Sequence, residues 1–467
     1  MLSDNALLEI FDLCRTDPYF KSGSFGDVWK WHLLVHVCRR WRQIISESPR
    51  RLDLKILCTH ETPVRKDLSI WPTLPIVVLC TYLGRSLSPE GEDNVIAALR
   101  QSDRVCSIRL DATHSELEKM FVVMQVPFPV LRCLEIYSKD ENAPVLPDGF
   151  LGGSAPPVQA LILCDIPFPT LPMLLLSTSN LNKLKLAGIP PTGYISPEVL
   201  VTCLAALTRL ETLVITFQTT DTFDLLDPDQ IFSPPRVVLP TPTSFTFYGA
   251  FAYLESLVAQ IDSPQLDHVH IDMSNQLFDV PVPQLAKYLD RSMGHKVTLF
   301  KRVRILLFRF FFSFRLDGGL YTSSNITCEG LEPLVSTIAE SFREFSTILF
   351  NVVHLELDVD YYTDPYQLEG GAGEADWLSF LCQFSAMQSL YVRQHLAQLI
   401  ALTLEAFASE SEMVSEMWPS LDLIHLEGQS ASSIERFVTA CQLSGRTVTV
   451  VNTRAEFYKR LESSVRK

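Results

Sequence analysis

A six-residue pattern, apolar-x-x-apolar-x-apolar, recurs along most of this 467-residue chain. It occurs first as "VCSIRL", "LRCLEI", "VQALIL", "LNKLKL" and "LETLVI", starting at residues 105, 131, 158, 181 and 210. It returns as "LDHVHI" (266–271), "VRILLF" (303–308), "VVHLEL" (352–357), "MQSLYV" (387–392) and "LDLIHL" (421–426). Alternating apolar positions of this kind predict a short strand with one buried face at each occurrence.

The spacing of these hexads predicts how the strands are connected. The first five start 26, 27, 23 and 29 residues apart, and intervening segments such as "SPEVLVTCLAAL" (196–207) and "GLEPLVSTIAESF" (330–342) have helical periodicity. Repeats of about 20–29 residues are typical of leucine-rich repeats. The sequence therefore predicts an α/β fold in which residues 105–460 form a degenerate leucine-rich-repeat-like solenoid (horseshoe), preceded by a linker or cap at 61–104. An ordinary α/β domain with right-handed crossovers is the alternative.

Two segments fit the repeat less well. The spacing loosens after Ile215, where a proline-rich stretch falls within Leu225–Gly249. The run "RILLFRFFFSFRL" (Arg304–Leu316) is apolar but contains arginines, and it is shorter than the ~20 apolar residues of a membrane span. We interpret it as a buried strand; a loop, an insertion or a distorted repeat remain alternatives for both segments.

Polar side chains stand between the apolar strand positions and are candidates for a recognition surface. They are Arg109, Arg132, Glu135, Lys183, Lys185, Glu211, His268, His270, His354, Glu356, Tyr391 and His425. For any one of them a solvated strand face is the simpler interpretation, because few contacts carry most of the free energy of binding at an interface.

The N-terminus has a different periodicity. Leu7, Ile10, Phe11 and Cys14 form one apolar helical stripe, which Ser3 or Asp4 can cap. A second stripe of Leu34, Val37, Cys38, Trp41 and Ile45 predicts another helix, which Pro49 ends. Such short helices bury too little surface to fold alone, so they require either the rest of the chain or a partner protein.

"LSDNALLEIF" followed by "LLVHVCRRWRQI" resembles an F-box, and "SPRRLDLKI" and "TPVRKDLSIWPTLPIVV" resemble the segments that follow it in fungal F-box-like proteins. The resemblance covers about residues 1–60. Ser3 stands where the family usually has proline, and the Arg15–Trp31 connection is longer and more polar than usual. The positions that match the family pattern are Leu2, Leu7, Ile10, Phe11, Leu34, Val37, Cys38, Arg39 and Trp41.

The resemblance implies a non-enzymatic substrate receptor. The F-box would bind the Skp-family adaptor and, through it, the cullin of an SCF-type ubiquitin ligase. The repeat domain would bind a protein substrate, which would be modified by proximity rather than by any residue of this chain. The alternative is a repeat-based protein-interaction scaffold without a ligase role, in which the N-terminal helices only cap the array.

Charge and cysteine content bear on the kinds of partner and on the cellular location of the chain. The net charge of −15 argues against nucleic-acid binding, which requires a basic surface. No signal peptide is apparent, and the eleven cysteines form no Cys-x-x-Cys pair. We therefore expect reduced thiols and a location in the cytoplasm or nucleus, with no membrane partner.

Enzymatic motifs are incomplete. "GSFGDVWK" (23–30) resembles part of a kinase glycine-rich loop, but Lys21 replaces its first glycine, and no His-Arg-Asp or Asp-Phe-Gly motif follows. No Gly-x-Ser-x-Gly motif occurs either. His32 with His36 and His268 with His270 have spacings that can bind zinc, but neither pair has an obvious third ligand. The sequence thus predicts no catalytic residue, metal or cofactor.

Overall fold

The structure is a computed structural model. It describes residues 2–13, 31–48, 54–70, 73–81, 86–140, 143–155, 157–169, 171–218, 236–273, 283–293, 301–307, 311–316, 320–325, 335, 339, 343, 345, 349–359, 374–410, 417–429, 431–451, 456, 457 and 459. The chain divides into two compact units, Met1–Gln218 and Thr219–Lys467. Both are mixed α/β, and the described residues contain twelve α-helices. The predicted boundaries at residues 60 and 104 stay predictions.

The first unit is built on parallel strands. Its strands are β1 (Ile56–Thr59), β2 (Ile76–Thr81), β3 (Val105–Ala112), β4 (Cys133–Ser138), β5 (Ala160–Cys164), β6 (Lys183–Ile189) and β7 (Thr212–Phe217). They pair in chain order, each parallel to the next. The first two strands precede the first hexad, so the parallel sheet begins before the repeat is visible in the sequence.

Helices of the first unit are α1 (Asp4–Leu13), α2 (Arg39–Glu47), α3 (Val64–Ile70), α4 (Pro89–Leu99), α5 (His114–Val123), α6 (Leu171–Ser177) and α7 (Pro197–Ala206). Helix α7 begins with Ser196 as its N-cap and Pro197 in its first turn, a combination that favours a sharp helix start. It coincides with the helix predicted at 196–207, and four other helices also connect consecutive strands.

The core of the first unit is a ladder of equivalent apolar side chains. Leu134, Leu161 and Leu184 are register partners on consecutive strands, and Ile108 and Leu213 extend the row on either side. All five are at most 2% exposed. Because the side-chain period of a strand is two, the fourth and sixth positions of each hexad lie on this face and the fifth lies on the other.

The second unit contains strands β8 (Val237–Val238), β9 (Ser244–Tyr248), β10 (Ile261–Asp262), β11 (His268–Met273), β12 (Arg302–Leu307), β13 (Phe311–Leu316), β14 (Leu320–Asn325), β15 (His354–Val359), β16 (Ser389–Val392), β17 (Leu423–Leu426) and β18 (Thr449–Val450). Its helices are α8 (Phe251–Ala259), α9 (Pro283–Met293), α10 (Glu374–Leu381), α11 (Gln394–Glu410) and α12 (Glu435–Leu443).

Strand order in the second unit is β9-β11-β14-β13-β12-β15-β16-β17-β18, and β8 pairs with β10 separately. The pairs β12–β13 and β13–β14 are antiparallel, whereas the others are parallel. The prediction of one buried strand over Arg304–Leu316 is therefore wrong. The segment is divided between β12 and β13, which are antiparallel to each other. A two-residue alternation does not reveal where the chain reverses.

All ten hexads coincide with strands, namely β3–β7, β11, β12 and β15–β17. The prediction of an α/β fold is confirmed, and most of the described strand pairs are parallel. Residues 225–235 of the proline-rich segment, "GSFGDVWK" and most of the helix predicted at 330–342 lie outside the described residues.

Candidate functional site

Polar and aromatic contacts join the N-terminal helices α1 and α2. Ser3 caps α1, as predicted, by accepting a hydrogen bond from the Ala6 backbone N–H at 3.2 Å. Arg40 at the start of α2 pairs with Asp4 at 2.6 Å and donates to the Leu2 carbonyl. Between the helices, the rings of Phe11 and Trp41 meet edge to face, with centroids 4.9 Å apart. These contacts order the two helices relative to each other.

The prediction of one continuous helix from Leu34 to Ile45 is wrong, because the structure interrupts it. A 3₁₀-helix covers Trp31–His36, and α2 begins only at Arg39. Cys38 is extended, with φ −160° and ψ 169°, and its Sγ accepts from the Trp41 N–H at 3.5 Å. A residue that caps a helix in this way cannot lie within one, so its neighbour Val37 turns outward.

The nine residues that match the F-box pattern fall into a buried and an exposed group. Leu7 and Phe11 are buried, at 4% and 0% exposure, and Leu34 and Trp41 are half-buried. Leu2, Ile10 and Val37 are 55%, 37% and 57% exposed; Cys38 and Arg39 are exposed as well. We call Leu2, Ile10, Val37 and Cys38 the N-terminal apolar surface. It remains available to a partner, whereas Leu7 and Phe11 serve the packing of this unit.

The outward-facing polar positions of the first sheet form a small network. Arg109 and Glu135 are register partners on β3 and β4, and their charged groups lie 3.6 Å apart. The guanidinium also lies 5.2 Å from the centre of the Tyr137 ring, whose hydroxyl donates to Glu135 at 3.3 Å. Burial, followed by the Glu135 charge, raises the pKa of Tyr137. Glu135, predicted as part of an open recognition surface, is only 3% exposed and is held within the network.

A continuous polar row crosses the second sheet. The backbone register joins Thr246, His270, Tyr321, Arg315, Arg304, Glu356, Tyr391 and His425, from β9 to β17. Only four of these were predicted from the hexads. Arg315 and Tyr321 were missed because β13 and β14 carry no hexad, although the arginines that interrupt the apolar run were a usable signal of a polar face.

Near the centre of this row, Asp358 binds two arginines. Its Oδ2 accepts from Arg304 Nη2 and from Arg393 Nη1, each at 2.8 Å. Arg304 Nε also lies 3.5 Å from Glu356 Oε1. The Asp358 side chain is 5% exposed, so this carboxylate is stabilised by its two cations rather than by water. Neither Asp358 nor Arg393 was predicted as a candidate.

The end of the row toward β17 is covered. Tyr391 and His425 stack with ring centroids 4.9 Å apart, and Phe457 lies 5.1 Å from Tyr391. His425 Nδ1 is 2.7 Å from the Val451 carbonyl oxygen. Tyr391 and His425 are each 1% exposed and Glu356 is 8% exposed. The prediction that these three side chains face an open recognition surface is wrong, because the C-terminal segment packs over that part of the sheet.

His354 lies beside this covered region. Its Nδ1 is 2.8 Å from the Ser389 hydroxyl. Burial, followed by the charges of Arg302 and Lys301, lowers the pKa of His354 to about 4. The imidazole is therefore neutral at pH 7 and acts as a hydrogen-bonding group.

The remaining predicted strand residues lie on accessible surface. Arg132, Glu211, His268 and His270 are exposed, and Arg109, Lys183 and Lys185 are half-buried. His268 and His270 line an open groove of about 590 Å³ together with Arg315 and Tyr321.

Metal-ligand clusters and membrane-spanning helices were sought in the described ranges. No three histidine, cysteine, aspartate or glutamate side chains within them converge on a common point. None of the helices in those ranges combines the length and apolarity that crossing a bilayer requires. His36 is exposed, and the side chain of His32 lies outside the described residues.

No protein-family model and no curated protein matches the sequence. Among solved structures, the chain is similar to one in the "Crystal structure of Rad7 and Elc1 complex in yeast", with 12% sequence identity and a TM-score of 0.32. That match covers 97% of this chain and 94% of the other. Because both the identity and the TM-score are low, this likeness decides neither the fold nor the function of the present chain.

Proposed function

We propose that this protein is the substrate-recognition subunit of an SCF-type ubiquitin ligase. Its N-terminal helices bind the Skp-family adaptor and, through it, the cullin, while a leucine-rich-repeat-like solenoid binds the protein substrate. In this proposal the chain is not an enzyme, requires no cofactor, and acts in the cytoplasm or nucleus. The other subunits transfer ubiquitin, and this chain contributes proximity.

The N-terminal apolar surface is the observation that supports the proposal. Leu2, Ile10 and Val37 all belong to the F-box-like motif, and all three remain more than a third exposed in the folded chain. Meanwhile Phe11 and Trp41 pack against each other, and Arg40 holds the start of α1 beside α2. An ordered helix pair that exposes apolar motif residues is suited to bind a partner with little loss of conformational entropy.

The proposal is tested by measuring binding of the full chain to a purified Skp-family adaptor by calorimetry. We expect binding by the unmodified chain, and a loss of about tenfold or more in affinity for Val37→Asp, because a carboxylate would be buried at the interface. Val122→Asp is the matched control, since Val122 is 67% exposed on α5 outside the motif.

Two results would overturn the proposal. One is the absence of adaptor binding by the unmodified chain, which would favour a scaffold whose N-terminal helices only cap the array. The other is equal loss of affinity in both valine variants, which would place the interface elsewhere. Phe11→Ala is unsuitable for this test, because it removes a core side chain.

A further inference from the structure

The groove on the second sheet has a defined chemical lining. It lies on the polar face of β9, β11, β13 and β14, with a volume of about 590 Å³. Its polar side chains are Ser244, Thr246, His268, His270, Arg315 and Tyr321. The groove thus combines the hydroxyl groups of Ser244, Thr246 and Tyr321 with two imidazoles and one guanidinium, all of which can donate a hydrogen bond.

The sign of the charge in the groove is opposite to that of the chain. The protein has a net charge of −15, yet none of the described residues that line the groove is acidic. Such a local reversal favours ligands that carry negative charge.

Arg315 is the side chain that defines the ligand. It is exposed, and among the described residues no carboxylate lies within ion-pair distance of it. Its register partner Arg304 differs, since Arg304 is paired with Glu356 and Asp358. Within the described part of the chain Arg315 thus has no acidic partner, and its planar guanidinium fork matches a carboxylate.

The other groups are arranged around that cation. His270, Tyr321 and Arg315 are successive register partners on β11, β14 and β13. The rings of His270 and Tyr321 have centroids 4.5 Å apart. With strands about 4.8 Å apart, roughly 10 Å separates the His270 and Arg315 backbones. This span accommodates several atoms of an extended peptide, with Tyr321 beneath them.

We infer that this groove binds an acidic segment of a partner protein, with a glutamate or aspartate carboxylate on Arg315. The inference rests on the proposed function, since the segment would belong to the substrate. A carboxylate fits better than a phosphate, because Arg315 is the only described lining residue that is charged at every physiological pH, whereas phosphate sites usually use clusters of arginines.

The test is fluorescence polarisation with the full chain and labelled twelve-residue peptides of glycine and serine that carry four central glutamates. We expect these peptides to bind, and the same peptides with glutamine to bind about tenfold more weakly or less. Arg315→Gln is expected to lower the affinity for the glutamate peptide by about tenfold or more. Arg436→Gln is the matched control, because Arg436 is exposed on α12 and does not line the groove.

Three outcomes would overturn the inference: no binding of the glutamate peptide, equal binding by the unmodified chain and Arg315→Gln, or more than tenfold tighter binding of a phosphoserine peptide. Melting temperatures of the variants establish that each remains folded. Adaptor binding is measured separately on the N-terminal apolar surface. Failure of peptide binding with intact adaptor binding would refute the groove alone, and the reverse would refute the ligase role alone.

Discussion

Each unit has its own core, and the two cores are built in the same way. The polar faces of the two sheets differ. In the described part of the first unit, seven strands pair in parallel and in chain order. In the second, an antiparallel insertion of β13 and β14 separates β11 from β12. Yet Leu357, Val392 and Leu426 form a buried row there, as Leu134, Leu161 and Leu184 do in the first. The apolar half of the hexad is thus kept where the chain path changes.

The polar faces differ more. In the first sheet Arg109 and Glu135 form an ion pair at 3.6 Å, whereas in the second one carboxylate is shared by two arginines at 2.8 Å each. The apolar face of these strands is thus alike in both units, whereas the polar face carries different charge networks and, in the second unit, a groove.

We expect the largest effect when one leucine of the buried row is replaced in each unit. Leu184→Ala in the first unit and Leu357→Ala in the second each remove a side chain that is 0% exposed. We expect each to lower the free energy of unfolding by about 3–4 kcal/mol, from lost burial and the cavity left behind. Urea denaturation measures the loss, and hydrogen exchange locates it. A loss below about 1 kcal/mol at either position would contradict the equivalence of the two cores.

We expect an intermediate effect, different in the two units, when a carboxylate is neutralised on the polar face of each sheet. Asp358→Asn removes the charge shared by Arg304 and Arg393, and we expect a loss of about 3 kcal/mol. Glu135→Gln in the first unit is the comparison, with an expected loss of about 1 kcal/mol, because glutamine still accepts a hydrogen bond and Arg109 is partly exposed. Equal losses in urea denaturation would show that the shared carboxylate has no special role.

The smallest expected effect is a loss of stability at low pH that arises from His354. In the unfolded chain His354 takes up a proton near pH 6.5, but in the folded chain only near pH 4. Stability is therefore retained above pH 6.5 and lost as the pH falls toward 4. Because the side chain is only half-buried, we expect a loss of about 1–2 kcal/mol from this group.

Denaturation midpoints of the unmodified chain and His354→Asn, measured between pH 7 and 4, test that expectation. The asparagine variant lacks the ionisable group, so its stability should fall less steeply over this range. Ser389→Ala retains the imidazole and should keep the pH dependence. Identical slopes for the unmodified chain and His354→Asn would contradict a depressed pKa.

Sequence periodicity predicted those parts of the fold that repeat a local pattern. Each hexad became a strand, and α7 formed where helical spacing followed a serine and a proline. Strands β13 and β14 were missed, because the direction of a strand depends on which neighbour it pairs with. The break at Cys38 was missed as well, since helical spacing alone does not distinguish a helix interior from an N-cap.

The candidate sites were predictable to a lesser degree. His268 and His270 were identified from strand alternation, but their neighbours Arg315 and Tyr321 come from another part of the chain, and only strand order brings them together. Conversely, Tyr391 and His425 were expected on an open surface. Coverage by Phe457 depends on tertiary packing of the C-terminus, which leaves no periodic signal near either residue.

The antiparallel insertion also bears on how the chain folds. Leu316 pairs with Leu320, and Leu307 with Phe312, so these partners are only four or five residues apart in the sequence. The parallel pairs in the first unit must instead close connections of 16 to 23 residues, at a greater loss of chain entropy. Hairpins form in microseconds, and folding slows as contacts become more distant in sequence. We therefore expect the second unit to nucleate at β12–β14, whereas the described strands of the first unit form no such hairpin.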